Sequence, residues 1–217
     1  MYYEIARNDH GLPFNPLKAC VVPRPIAWIS TTSRTGVVNL APFSFANIIS
    51  NDPPYVCFSC TGNVLDGNAK DTVVNAEETG EFVYNMATYD LRDAVVKTAS
   101  VVERGVDEMA AAGLESLPSR LVKPPRVAAS PVQLECKYWQ TIDLPGRRPE
   151  FHHKLVIGEV VACHIKDEYI TPEGMLDTAK MRPLSRLGYR DYTSVESVFE
   201  IETWVPERSL ASKRNTG

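Results

Sequence analysis

One proline constrains this chain more than any other residue. Pro42 sits inside VNLAPFSFANIIS, residues 38–50, a run that otherwise favours extended structure. Proline lacks the N–H that a sheet ladder needs, so it belongs at an edge or a bulge. Asn39, Ser44 and Asn47 interrupt the same run. Such a strand leaves backbone groups unpaired by its sheet, and unpaired groups are costly when buried. Two readings stand: an edge strand satisfied by water, or a strand whose backbone meets the flat, hydrogen-bonding edge of a ligand.

The neighbouring segments supply the partners for such an edge. PIAWISTT (25–32) is rich in branched and aromatic residues and reads as a strand. SRTG (33–36) carries turn residues, which gives a hairpin into the proline-broken run. Asp52-Pro53-Pro54 forces extended geometry into YVCFSC (55–60). EFVYNM opens a strand over 81–87, and VQLECKYWQTI (132–142) and FHHKLVIGEVVACHI (151–165) read as two long strands. In the first of these Leu134, Cys136 and Tyr138 share one face, and Glu135, Lys137 and Trp139 the other. A last strand is expected at about 195–203. Helices are expected over 71–79, 89–100 and 106–113, the last ended by its glycine. Strands with two or three helices inserted predict a mainly β barrel rather than a doubly wound sheet. No Gly-x-Gly-x-x-Gly follows the first strand, and no phosphate-loop signature occurs.

Composition excludes several classes. The 217 residues are 44% hydrophobic and 23% charged, which permits one sizeable core. Net charge is −4 and no basic cluster is long enough to track nucleic acid. No apolar run approaches the ~18 residues of a membrane span. The polar start MYYEIARNDHG lacks a signal-peptide pattern, so a cytoplasmic location is expected. Five scattered cysteines fit reduced thiols better than a disulfide framework.

The motifs that could carry chemistry are few. Cys57 and Cys60 have half of a zinc-knuckle spacing, but three residues along a strand they face opposite sides. His152 and His153 are adjacent and also diverge, so no metal site is expected. No Gly-x-Ser-x-Gly elbow marks a hydrolase, and no catalytic side chain is identified. AKDTVVNAEETG (69–80) is the exception. It places Lys70, Asp71 and Thr72 at the positive end of a short helix. The unpaired N–H groups there favour an anion such as phosphate. Asp71 alone is a good N-cap and would satisfy them without a ligand.

These segments occur together in order. PRPIAWISTT, GVVNLAPFSF, NDPPYVCFS, KDTVVNAEETGEFVYN, PPRVAASPVQLECK and VIGEVVACHI resemble the flavin reductase-like, FMN-binding split-barrel family over roughly residues 20–190. Within it, the resemblance is to the branch of flavoredoxins and two-component monooxygenase reductases. It implies an antiparallel, Greek-key split barrel at 21–205, after an extension at 1–20 and before a tail at 206–217. It implies a homodimer with FMN near the subunit interface, and NADH or NADPH as co-substrate.

On this pattern Lys70 and Thr72 hold the phosphate, Asp71 caps the helix, and Asn75 lies one turn on. Ser59 approaches the phosphate or ribityl chain. Ser30 and Thr31 face the flavin, and Ala41, Pro42 and Ser44 set backbone groups along the ring. Trp28 packs on or beside the ring, and Arg186 stands near the site. His152 or His153 would contact the nicotinamide side. The function implied is hydride transfer from NAD(P)H to FMN, serving a monooxygenase. The alternatives are a flavoredoxin-like electron carrier with a protein partner, or a flavin-binding protein without turnover.

Overall fold

The computed structural model describes residues 1–61, 69–147 and 152–201. Seven strands build the main sheet: β1 (Ala27–Thr32), β2 (Val38–Phe43), β3 (Phe45–Asn51), β4 (Pro54–Thr61), β5 (Glu81–Met86), β6 (Val132–Pro145) and β7 (His152–Ile165). Their order is β2-β1-β5-β6-β7-β4-β3, and every pairing is antiparallel. The two edges, β2 and β3, are consecutive in the chain and joined only through Ser44. The sheet therefore curls until its edges meet, and Phe43 from one edge packs on Phe58 at 4.9 Å between ring centroids. The expected mainly β, antiparallel split barrel is what forms.

Side-chain alternation divides the core in two. Ala27, Ile29, Phe43, Val56, Phe58, Phe82, Cys136 and Val156 point into the barrel. Ile26, Trp28 and Leu40 point outward, under Val95 and Met109. β1 is thus buried on both faces from Ala27 to Thr31, where its branched and aromatic residues pack and its buried Ser30 and Thr31 take hydrogen bonds. Helices α1 (Asp71–Thr79), α2 (Arg92–Lys97) and α3 (Glu108–Ala111) pack on these cores, and among the described residues a fourth, Thr178–Met181, buries Met181. α1 lays Val73 and Ala76 into the barrel core, and Gly80 ends it in the left-handed conformation at φ 74°. The outer core is held by α2 and α3.

Gly158 marks the tightest approach in the sheet. It stands beside a register shift between β6 and β7. A Cβ there would come within 2.3 Å of the Phe82 ring, so only glycine lets that ring reach the core.

Three local expectations change. The helix expected at 89–100 is a 3-10 turn, Tyr89–Leu91, followed by α2. The first long strand runs to Pro145 rather than 142, because β7 continues to pair with it there. The strand expected at 195–203 is instead Tyr192–Ser194, paired with Leu184–Arg186. That partner is three residues long, so residues 195–201 have no ladder to join. Residues 202–203 and the expected tail at 206–217 lie outside the described residues.

Candidate functional site

The cleft is built at the open edge of β2. Leu40 and Pro42 lie two residues apart and turn their backbone the same way. The Leu40 N–H donates outward to the Glu108 carboxylate of α3 at 3.1 Å. Pro42 occupies the equivalent outward position, where its missing N–H costs no ladder bond. The proline-broken strand is an edge strand, and a side chain satisfies one of its free donors.

Two adjoining chambers open along this edge. The first, about 80 Å³, is lined by Asn39, Ala41, Pro42, Lys70, Thr72 and Glu108, together with residues 98–102 and Asp71. The second, about 270 Å³, continues past Pro42 and Ala99 to Ser44, Phe45 and Arg186. The two share Pro42 and Ala99 in their walls.

The start of α1 forms the wall of the first chamber. Lys70, not Asp71, holds the N-cap position, with extended backbone and no side-chain cap bond. Asp71 turns instead to an ion pair with Arg104, whose guanidinium also donates to the Ala69 carbonyl at 2.7 Å. The expectation that Asp71 caps the helix is therefore corrected. An arginine competes for that carboxylate, and no side chain caps the first turn.

Behind this wall lies a buried amide–hydroxyl network. Asn39 donates to Thr72 Oγ1 at 2.9 Å and to Thr31 Oγ1 at 3.4 Å. Asn75 donates to Thr31 Oγ1 at 3.0 Å. A hydroxyl that accepts from an amide keeps its own proton to give. Thr72 thus lines the chamber as an oriented donor, held by Asn39. Glu108 balances the charge differently. Burial pushes its carboxyl up, and Asp71 and Asp107 add to this against its backbone hydrogen bonds.

The expected site residues fall into groups. Ala41, Pro42, Lys70 and Thr72 line the first chamber, and Pro42, Ser44 and Arg186 the second. Thr31 and Asn75 stand behind the first chamber in the network. Trp28 does not reach the cleft. It is fully buried under α2, so no planar ring can lie on it. Its indole N–H donates to Thr98 Oγ1 at 2.8 Å, and Thr98 lines the chamber in its place.

Ser30 is likewise internal, donating to the Pro125 carbonyl at 2.6 Å and accepting from Asn85 at 3.1 Å. Strand alternation explains both, since Trp28 and Ser30 share the outward face of β1. Ser59 pairs in register with Phe45 but lines neither chamber. Residues 62–68, between its strand and Lys70, lie outside the described residues. His152 and His153 pair with Pro145 and Leu144 and line neither chamber. Among the described residues no group of acidic, His or Cys side chains could hold a metal ion.

Sequence reasoning did not identify Asn39 as a positioning group, nor Glu108, Thr98, Lys18 and Arg24 as lining residues. A polar Asn39 inside an apolar run was the one available signal. The others come from distant parts of the chain.

The chain has relatives among known proteins. A protein of Halalkalibacterium halodurans, uncharacterized, is 37% identical over 186 residues, covering 86% of this chain and 88% of its own. Nitrilotriacetate monooxygenase component B from Bacillus cereus superposes with a TM-score of 0.83 at 27% identity, covering 93% of this chain and 98% of that one. The 2-nitrobenzoate 2-nitroreductase NbaA of Pseudomonas fluorescens gives 0.78 at 26%, with 95% and 97% covered. Flavoredoxin of Desulfovibrio vulgaris (Miyazaki F), at 18% identity and a TM-score of 0.70 with 96% and 100% covered, shares the fold. Residues 19–185 match the profile of the flavin reductase like domain, and the chain belongs to that family.

Proposed function

We propose that this protein is an FMN-binding flavin reductase that uses NADH or NADPH. The observation that carries the reading is the first chamber, where the uncapped start of α1 meets Lys70 and the oriented hydroxyl of Thr72. The residues present fit FMN. The helix end at Lys70 would hold its phosphate, the polar wall its ribityl chain, and the Ala41–Ser44 edge its flat ring. Bound FMN would supply the hydride chemistry. The chain's own residues position and exclude. Lys70 and the first-turn amides neutralise the phosphate. Asn39 holds Thr72 in its donating orientation. The Leu40 N–H is held by Glu108, which leaves the backbone from Ala41 to Ser44 to face the ring. Hydride transfer itself needs no side chain to move a proton.

The bacterial component B relative favours a monooxygenase as the consumer of reduced flavin. The domain is proposed to span 21–205, in a cytoplasmic homodimer. Ile48, Ile49 and Trp139, all exposed on β3 and β6, supply apolar surface for the second copy. Among the described residues no helix is long and apolar enough to cross a membrane.

The test is spectroscopic. Purified protein loaded with FMN is mixed with NADH or NADPH under anaerobic conditions, and the flavin absorbance band is followed. Rapid bleaching supports the reductase. Bleaching only by a reduced electron-transfer protein would instead assign the carrier role. No bleaching by either, with FMN tightly held, would leave a binding protein.

A further inference from the structure

The first chamber has a lining that a plain anion seat would not have. Lys70 brings one cation to it, while Asp71 and Glu108 bring two carboxylates. Asp71 is compensated by its ion pair with Arg104. Glu108 is not, since among the described residues it forms no ion pair. Asp71 on α1 and Asp107, the N-cap of α3, add negative charge beside it. α3 packs on β2, and neither β2 nor the segment 98–102 carries a charged side chain.

Glu108 is nevertheless fixed in place. Its Oε2 accepts the Leu40 N–H at 3.1 Å, which holds it against the edge of β2. An ionised carboxylate offers about four acceptor sites. The Leu40 amide and its own backbone N–H use only part of them. Burial and the two aspartates favour the protonated form. A glutamine would serve the Leu40 amide equally well. What a carboxyl adds at this position is an exchangeable proton.

The opposite wall donates. Thr72 is 1% exposed, accepts from Asn39 and keeps its own proton to give. Lys70 and the first-turn amides of α1 stand beside it. A phosphate seated there meets donors on the α1 side and a carboxyl on the α3 side. Two acceptors face each other stably only with a proton between them. A phosphomonoester can hold one, because its second pKa is about 6. A pyrophosphate diester, like sulfate, carries no proton near neutral pH.

We propose that Glu108 makes this chamber selective for a phosphomonoester by sharing one proton with it, so that FMN binding takes up a proton and FMN is preferred to FAD. The proton comes from solvent and lies between a carboxyl oxygen of Glu108 and a phosphate oxygen, and no other bond changes. The flavin part of this inference rests on the flavin reading above. The selectivity for phosphate does not, because every group named belongs to the chain.

The experiment is calorimetric titration of the flavin-free protein with FMN, riboflavin and FAD. Titration in two buffers of different ionisation enthalpy counts the protons taken up. FMN is expected to take up about one proton near pH 8, and riboflavin none. Between about pH 7 and 9 FMN affinity should fall by close to ~tenfold per pH unit, the slope of one linked proton. E108Q keeps an acceptor for the Leu40 amide and needs no proton to donate. It should flatten that slope, bind FMN at least ~tenfold more tightly than the parent near pH 9, and narrow the gap between FMN and FAD. Inorganic phosphate and sulfate are compared on the flavin-free protein by their protection against thermal unfolding. Phosphate should bind at least ~tenfold more tightly than sulfate, and E108Q should remove the difference.

FMN binding without proton uptake by the parent protein would overturn the proposal, and that count needs no variant. Equal pH slopes in the parent and E108Q would do the same, as would sulfate binding as tightly as phosphate. FMN binding no more tightly than riboflavin, with the Glu108-dependent preference for phosphate intact, would refute the flavin reading and leave the shared proton standing. FMN binding far more tightly than riboflavin with no proton taken up would do the reverse.

Discussion

Replacing Thr72 by valine separates a structural role from a ligand-binding one. Valine keeps the shape of the side chain and removes only the hydroxyl. Thr72 is 1% exposed, and its oxygen accepts the 2.9 Å bond from Asn39. In the variant the Asn39 amide keeps only its 3.4 Å contact to Thr31. A buried donor losing its better partner costs about 1–3 kcal/mol of folding stability. FMN affinity should fall separately. A hydrogen bond to a charged group contributes about 1.5–3 kcal/mol, which at about 1.4 kcal/mol per tenfold is a loss of roughly 10- to 150-fold. Thermal unfolding without flavin reads the first quantity, and quenching of FMN fluorescence reads the second. Riboflavin, which has the ring and ribityl chain but no phosphate, is the control, and its affinity should change far less. T72S restores the hydroxyl and should recover most of both. If T72V loses stability while FMN and riboflavin affinities match the parent, Thr72 only supports the fold, and the phosphate does not sit at α1.

Three further outcomes are expected. K70A should weaken FMN about tenfold and leave riboflavin binding intact, and the remaining FMN affinity should depend less on salt, checked by titration at low and high ionic strength. Glu135 is fully buried, accepts from the N–H groups of Arg120, Leu121 and Val122, and meets His164 Nε2 at 2.5 Å. Burial alone would raise its carboxyl, but the Arg120 amide, His164 and the Leu121 amide outweigh this and hold it below the usual carboxylate range. A depressed carboxyl contributes stability above its unfolded pKa and loses it as pH falls through the folded value. E135Q should therefore cost about 3 kcal/mol near neutral pH, and its deficit should shrink in acid, seen by denaturant unfolding across pH. Finally, G158A should destabilise by about 2–3 kcal/mol, because the new methyl meets the Phe82 ring, and the melting temperature should drop accordingly.

Local chemistry was legible along the chain. The helix Asp71–Thr79 was readable with its glycine stop, because Gly80 alone among its neighbours adopts φ 74° without strain. The edge character of VNLAPF followed from Pro42, since a missing donor has few places to go. The strand alternation of VQLECKYW held, and Cys136 faces the core as its period requires. The lining of the cleft was legible where one segment supplied it, at Lys70 and Thr72 and along Ala41–Ser44. It was not legible where a competing partner came from afar. Arg104 draws Asp71 away from its cap, and Glu108 satisfies the Leu40 amide. Trp28 looked like a ring-stacking surface because sequence cannot say that α2 covers the outward face of β1.

The sequence by itself determined periodicity, punctuation and the positive end of one helix, because these depend on neighbours within a few residues. The tertiary structure decided which face of β1 is covered. It also decided that Lys18, Arg24 and Arg186 share one chamber despite lying at opposite ends of the chain. Closing a barrel brings remote segments together, and the charges they carry then answer to each other rather than to their neighbours in sequence.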